Sequence, residues 1–169
     1  NYGIEAYKVA SADFTNHVFL NSIIATGKLM FCSTGMSSED EISRTVQFLN
    51  KKGALYIPLH CNSTYPAPHQ ELNLNVIPIM KERYDCIVGY SGHEYDLEPS
   101  VLAAALGGQI IERHITIDHD MWGTDQKSSL EVHAMDLLRK RLRDVNIMLG
   151  KPEKYITNSE KPVLKKLRG

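Results

Sequence analysis

The chain has 169 residues, 43% of them hydrophobic and 23% charged, a balance that suits one globular domain with a real core and argues against disorder. Its formal net charge of -1 provides no field to draw it to nucleic acid, and no apolar run approaches the roughly 20 residues of a membrane helix. Cys32, Cys61 and Cys86 sit in apolar, strand-like runs, and an odd count without short spacing predicts reduced, buried thiols in the cytoplasm.

Asn1-Tyr2-Gly3-Ile4-Glu5 lacks the basic and apolar regions of a signal peptide. No initiator Met opens the chain, so Asn1 reads as an internal start. A short strand is predicted over residues 7–10. Asn16 can cap a helix to about Thr26, with Gly27 as its stop. Residues 29–33 form the next strand. Ser38 and Glu41 have the spacing of a capping box, opening a helix that ends near Lys52 and Gly53. A strand over 55–61 leads to a loop with Pro66 and Pro68. The next helix covers about 75–84, with Pro78 tolerated in its first turn. A fourth strand is predicted over 86–90, then a short helix opened by Pro99 and stopped by Gly107-Gly108. The fifth strand covers 109–114. A long loop reaches Leu130, and an amphipathic helix continues to Leu149. From Lys151 the chain is basic, punctuated by proline, and reads as a linker.

Five strand–helix units with near-continuously apolar strands predict a parallel sheet covered by helices. A doubly wound sheet and a (β/α)8 barrel both fit this pattern. No Gly-x-Gly-x-x-Gly follows the first strand, which weakens a dinucleotide site. Polar groups end every strand instead: Ser11, Ser33-Thr34, Asn62-Ser63, Ser91 with His93, and Glu112 with His114. Convergence at strand C-termini is the pattern of a barrel's active face. A full barrel needs about 250 residues. The fold class is therefore read as α/β, an incomplete TIM barrel comprising about strands 4–8, over residues 1–150.

Strand parity puts Ile110, Glu112 and His114 on one face, and Arg113 on the other, toward the helices and a carboxylate partner. Gly89, Ser91 and His93 likewise share a face. Two histidines from neighbouring strand ends can hold one divalent metal. Without an evident third ligand, an open, exchangeable Mn or Mg site is expected rather than a closed zinc site. Lys8, Ser11, the Ser33-Thr34-Gly35-Met36 segment before a helix, and Ser91 offer charge, hydroxyls and free amides to an anion. Taken singly, Ser-Thr-Gly is common in turns. His60 reads as a satisfied core histidine. His17, His69 and His133 read as surface or helix positions, and Met30, Met135 and Met148 as core filler. Arg139-Lys140-Arg141 with Arg143 reads as a solvated or docking helix face, since no aromatic residues interleave with it.

These residues carry a family resemblance. Lys8-Val9-Ala10-Ser11, Ser33-Thr34-Gly35-Met36, His60-Cys61-Asn62-Ser63-Thr64-Tyr65-Pro66, Gly89-Tyr90-Ser91-Gly92-His93-Glu94, Glu112-Arg113-His114, Trp122-Gly123-Thr124-Asp125 and Ser128-Ser129-Leu130-Glu131 occur in order along the chain. As a set they resemble the barrel domain of the sialic acid synthase family, which includes N-acetylneuraminate, legionaminate and pseudaminate synthases.

The resemblance implies condensation of phosphoenolpyruvate with an N-acetylated aminosugar, giving a nine-carbon 2-keto acid and phosphate. It implies that His93 and His114 bind Mn or Mg, and that Lys8, Ser11, Ser33, Ser63 and Ser91 hold phosphoenolpyruvate. Glu112, Tyr65 and Asp125 would face the sugar and water. Bacterial N-acetylneuraminate synthases often carry Asn where Ser63 stands here. Residues 151–169 would lead to an antifreeze-like (SAF) domain that reaches over the partner's site in a homodimer. Two other expectations compete with this one. One is a metal-dependent barrel isomerase or aldolase acting on a sugar phosphate; the other is an inactive half-barrel.

Overall fold

The computed structural model describes residues 3–169. Asn1 and Tyr2, and with them the reading of Asn1 as an internal start, lie outside these residues. Strands and helices alternate as β1 (Ala6–Val9), α1 (His17–Ile24), β2 (Leu29–Ser33), α2 (Glu39–Lys51), β3 (Tyr56–Cys61), α3 (Val76–Tyr84), β4 (Gly89–Gly92), α4 (Glu98–Ala105) and β5 (Ile110–Arg113). A small parallel pair, β6 (Ile115–Thr116) and β7 (Leu130–Glu131), precedes α5 (Val132–Leu149) and α6 (Glu160–Arg168). Among the described residues no helix is long and apolar enough to cross a membrane.

Helix starts follow their caps. Asn16 accepts from the Phe19 amide at 3.1 Å. Ser38 and Glu41 exchange both bonds of a capping box, meeting amides that a helix N-terminus otherwise leaves unpaired.

The main sheet is parallel, with strand order β1-β2-β3-β4-β5. Spatial order repeats chain order with no reversal, which excludes the doubly wound alternative, whose strand order must switch. The sheet is also curled. Lys8 on β1 and Glu112 on β5 form an ion pair at 3.5 Å. In a flat sheet those strands would lie about 19 Å apart, at about 4.8 Å per step, beyond the reach of the two side chains.

Register sorts the two faces. Ser33, Leu59, Gly89 and Ile110 pair in one row, and Cys61, Ser91 and Glu112 in another; both rows line the concave face. Val9, Met30, Cys32, Val88 and Tyr90 turn the other way and pack with Leu20, Ile23, Val46, Leu49, Ile77 and Met80 of the helix layer.

Four expectations are revised. The fourth strand runs Gly89–Gly92, not 86–90, because pairing to β3 and β5 begins at Gly89. Partners on both sides override the weak strand propensity of Gly-Tyr-Ser-Gly. The long loop before Leu130 is closed at its base by the β6–β7 pair. Met148 is 71% exposed, as its neighbours Ile147 and Leu149 in the last turn of α5 are also exposed. The stretch read as a linker contains α6, which buries none of its residues.

Candidate active site

The loops leaving β1, β2 and β3 meet around Gly35. Its amide donates to Ser11 Oγ at 3.0 Å. Ser11 Oγ donates to Cys61 Sγ at 3.5 Å, and Ser63 Oγ lies 3.8 Å from the same sulfur. An added Cβ at Gly35 would overlap Ser63 Oγ and lie 2.8 Å from Ser11 Oγ and 3.1 Å from Cys61 Sγ. Two hydroxyls and a thiol thus cradle one backbone position ahead of α2. Ser33 is buried on the same face, and its Oγ has no hydrogen-bond partner among the described residues. A buried hydroxyl without a partner is costly, and a bound anion or water would satisfy it.

The cradle leads directly to the histidines. His93 Nδ1 donates to the Asn62 carbonyl at 2.7 Å and lies 3.8 Å from Cys61 Sγ. That bond uses Nδ1 and leaves Nε2 for a ligand, the arrangement that outer-shell carbonyls impose on metal-binding histidines. The rings of His93 and His114 stand edge to face, 5.2 Å between centroids. Two imidazoles sharing one ion at about 2.1 Å per bond put their centroids about 5 Å apart, so the pair fits a divalent metal. Among the described residues no cluster of three or more His, Cys, Asp or Glu forms a cage. Water or substrate oxygens would have to supply the remaining positions.

Tyr65 packs beside both rings, at 4.2 Å from His93 and 5.8 Å from His114. Asp125 Oδ2 lies 3.8 Å from His114 Nδ1. The Leu130 amide donates to the His114 carbonyl at 2.8 Å, so the base of the 115–130 loop also anchors the histidine. Lys8, Phe31, Leu59, Ile110 and Glu112 of the concave face, with Ile111, Arg113 and Met135 from the other side of β5, line a cavity of about 370 Å³. A larger cavity of about 600 Å³, lined by Lys81, Gln109 and Asn146, opens at the opposite strand ends and has no comparable cluster of groups.

Electrostatics separate the two histidines. Burial disfavours the charged form of His93, but its bonds to Cys61 and the Asn62 carbonyl outweigh that and raise its pKa. Burial pushes the Cys61 thiol up, yet His93 and Ser11 bring it down overall. His114 is lowered, first by burial and then by the charge of His93. Tyr65 is raised by burial and by the nearby Cys61, Asp125 and Glu112.

All ten residues singled out in the sequence lie on this concave side or on the loops that rim it. Ser91 sits in register with Cys61 and Glu112. Cys61 was read only as a buried thiol, although its two-residue offset from Leu59 was a usable parity signal. His60 turns outward and donates to the Leu72 carbonyl at 2.6 Å. It is a satisfied core histidine, held neutral by burial.

Comparison with known proteins finds relatives along nearly the whole chain. The family model described as "NeuB family" matches residues 1–154. The chain is 35% identical over 161 residues to N,N'-diacetyllegionaminic acid synthase from Campylobacter jejuni, covering 94% of this chain and 48% of that protein. It is 35% identical over 162 residues to human N-acetylneuraminate-9-phosphate synthase, covering 95% of this chain and 45% of that protein. The solved N-acetylneuraminic acid synthetase of Leptospira borgpetersenii superposes with a TM-score of 0.87 at 32% identity, covering 99% of this chain and 59% of that one. The chain spans about half the length of the curated relatives it matches.

Proposed function

The chain belongs to the NeuB family, and from that premise we propose that its protein condenses phosphoenolpyruvate with an N-acetylated aminosugar to a nine-carbon 2-keto sugar acid. The observation carrying this reading is the convergence, on one concave face, of a histidine pair at metal-sharing distance, a hydroxyl cradle before a helix, and the Lys8–Glu112 pair. The relatives are synthases of N,N'-diacetyllegionaminic acid and of N-acetylneuraminate 9-phosphate.

In the proposed reaction C3 of phosphoenolpyruvate attacks the sugar aldehyde and water adds at C2. Phosphate then leaves, and the former aldehyde oxygen gains a proton. Lys8, Ser11, Ser33, Ser63 and Ser91 bind the phosphate and carboxylate, drawing on the cradle and on the unpartnered Ser33 hydroxyl. Tyr65 and Asp125 orient the sugar beside the histidines. Glu112, within reach of Lys8, takes the proton from the attacking water. His93 and His114 would hold Mn or Mg, which when bound supplies Lewis-acid polarisation of the aldehyde.

We further propose that residues 1–150 supply strands four to eight of a (β/α)8 barrel in a cytoplasmic, homodimeric enzyme. Residues 151–169 would then lead to an SAF domain.

The full-length gene product should release phosphate from phosphoenolpyruvate only with an N-acetylaminosugar and Mn or Mg present. His93→Ala and His114→Ala should each lose more than the about 10- to 100-fold typical of outer-shell changes. Full metal-dependent activity in either variant would remove the metal assignment. Sugar turnover without phosphoenolpyruvate would replace the condensation with an isomerase or aldolase reaction.

A further inference from the structure

Residues 93–97 bring His93 to the site, yet they form no strand or helix between β4 and α4. Their path is held from β5. Arg113 Nη1 lies 2.8 Å from Glu94 Oε1, 2.8 Å from the Asp96 carbonyl and 3.1 Å from Ser100 Oγ, while Nη2 donates to the Glu94 carbonyl. Glu94 also accepts from Tyr90 OH at 2.8 Å and from Ser100 Oγ at 3.3 Å. The side chains of Arg113 and Glu94 are 1% and 0% exposed. A Cβ at Gly92 would lie 2.7 Å and 2.8 Å from the two Glu94 carboxylate oxygens, so the carboxylate folds back over a residue that has no side chain.

This pair is poorly explained as a stabiliser. Desolvation offsets most of the attraction in a buried ion pair, and apolar residues of similar volume often serve a core equally well. Arg113 Nε is buried without a partner among the described residues, which adds to the cost. What an apolar pair cannot do is hold two loop carbonyls and a carboxylate with one planar fork. Arg113 directly precedes His114, and Glu94 directly follows His93. Parity turns Arg113 away from Glu112 and His114, so the contact grips the backbone behind the site rather than the site itself.

We propose that Arg113 and Glu94 are positioning residues that set the spacing of His93 and His114 by fastening the 93–97 loop to β5. The inference rests on the reading of the two histidines as a metal pair. The test uses the full-length gene product, with Mn2+ titrated directly and free Mn2+ read by electron paramagnetic resonance. Two variants are compared, Glu94→Leu/Arg113→Met, which removes both charges together, and Arg113→Lys, which keeps the charge but not the fork.

Each variant should fold and bind Mn2+ about 10- to 100-fold more weakly, as loss of an outer-shell partner does. The KM for phosphoenolpyruvate should stay within about two-fold, because the hydroxyl cradle is untouched and only outer-shell support is lost. A folded variant that binds Mn2+ as the parent does overturns the proposal. So does failure of both variants to fold, which would assign the pair to the core. If the parent itself binds no Mn2+, the metal reading fails, and the positioning role is judged on metal-free protein from histidine imidazole 1H–15N spectra. Shifted or multiplied His93 and His114 signals in a folded variant uphold it, and unchanged signals overturn it.

Discussion

Gly35 sits where a methyl group would meet Ser63, Ser11 and Cys61 together. The neighbours are ends of short side chains, which can rotate, so Gly35→Ala should leave the protein folded. Overpacking of this kind costs about 1–3 kcal/mol. The hydroxyls, however, would turn out of the cradle, and the 3.0 Å bond from the Gly35 amide to Ser11 would break. The expected outcome is a KM for phosphoenolpyruvate raised at least about ten-fold, the loss of about 1.4 kcal/mol of binding, with a smaller change in kcat. Steady-state kinetics beside a thermal melt checks this. An unchanged KM in a folded variant would show that the cradle does not hold phosphoenolpyruvate. At this scale the sequence named the polar residues correctly but could not say which of them touch. Cys61 ends β3, while Ser11, Gly35 and Ser63 lie beyond the ends of three separate strands, and only the packing of those strand ends brings the four together. Arg113 was expected to find a carboxylate, and it does. That the partner is Glu94, beside His93, depends on how the 93–97 loop folds back.

Among the elements, α2 shows sequence and structure agreeing at every level. Its capping box, its acidic first turn and its buried Ile42, Val46 and Leu49 all point the same way. The Ser38 amide and hydroxyl reach Glu41 Oε2 at 2.8 Å and 2.7 Å, and these bonds hold the Glu41 carboxyl below its usual range. Ser38→Ala should cost about 1 kcal/mol, or about 3 °C in Tm for a domain of this size, read by calorimetry. A cost near zero would mean that burial alone sustains the helix start. Because α2 follows the Gly35 turn directly, a frayed first turn should also weaken anion binding. β4 is the contrasting case. Gly-Tyr-Ser-Gly has little strand character locally, and its position emerged only once β3 and β5 flanked it. Apolar periodicity located strands 1 to 3 within a residue or so, since those are carried by their own side chains.

At the scale of the molecule, the curled sheet ends in β1 and β5, each paired on one side only among the described residues. Edge strands with free backbone groups template association. Beyond β5, Ile117 and Trp122 are 81% and 99% exposed, enlarging the uncovered apolar surface. Residues 1–169 expressed alone should therefore associate through the uncovered edges and show no synthase turnover, while the full-length gene product should form a discrete dimer and turn over its substrates. Light scattering after size exclusion, together with a phosphate-release assay, tests this. A monodisperse, active fragment would refute the proposal that further strands complete the site.

The sequence by itself determined the strand–helix alternation, the helix caps and the set of polar residues at strand ends, because these depend on neighbours within a few positions along the chain. It also carried the family resemblance. Polar strand ends already favoured a barrel over a doubly wound sheet, but only the tertiary structure showed the in-order curled sheet, since both folds share the same local pattern and differ in which strands pair. Likewise only the fold brought Lys8 to Glu112 across the concave face and set His93 against His114. Those distances are fixed by curvature and by a buried contact between remote residues, which no local spacing encodes.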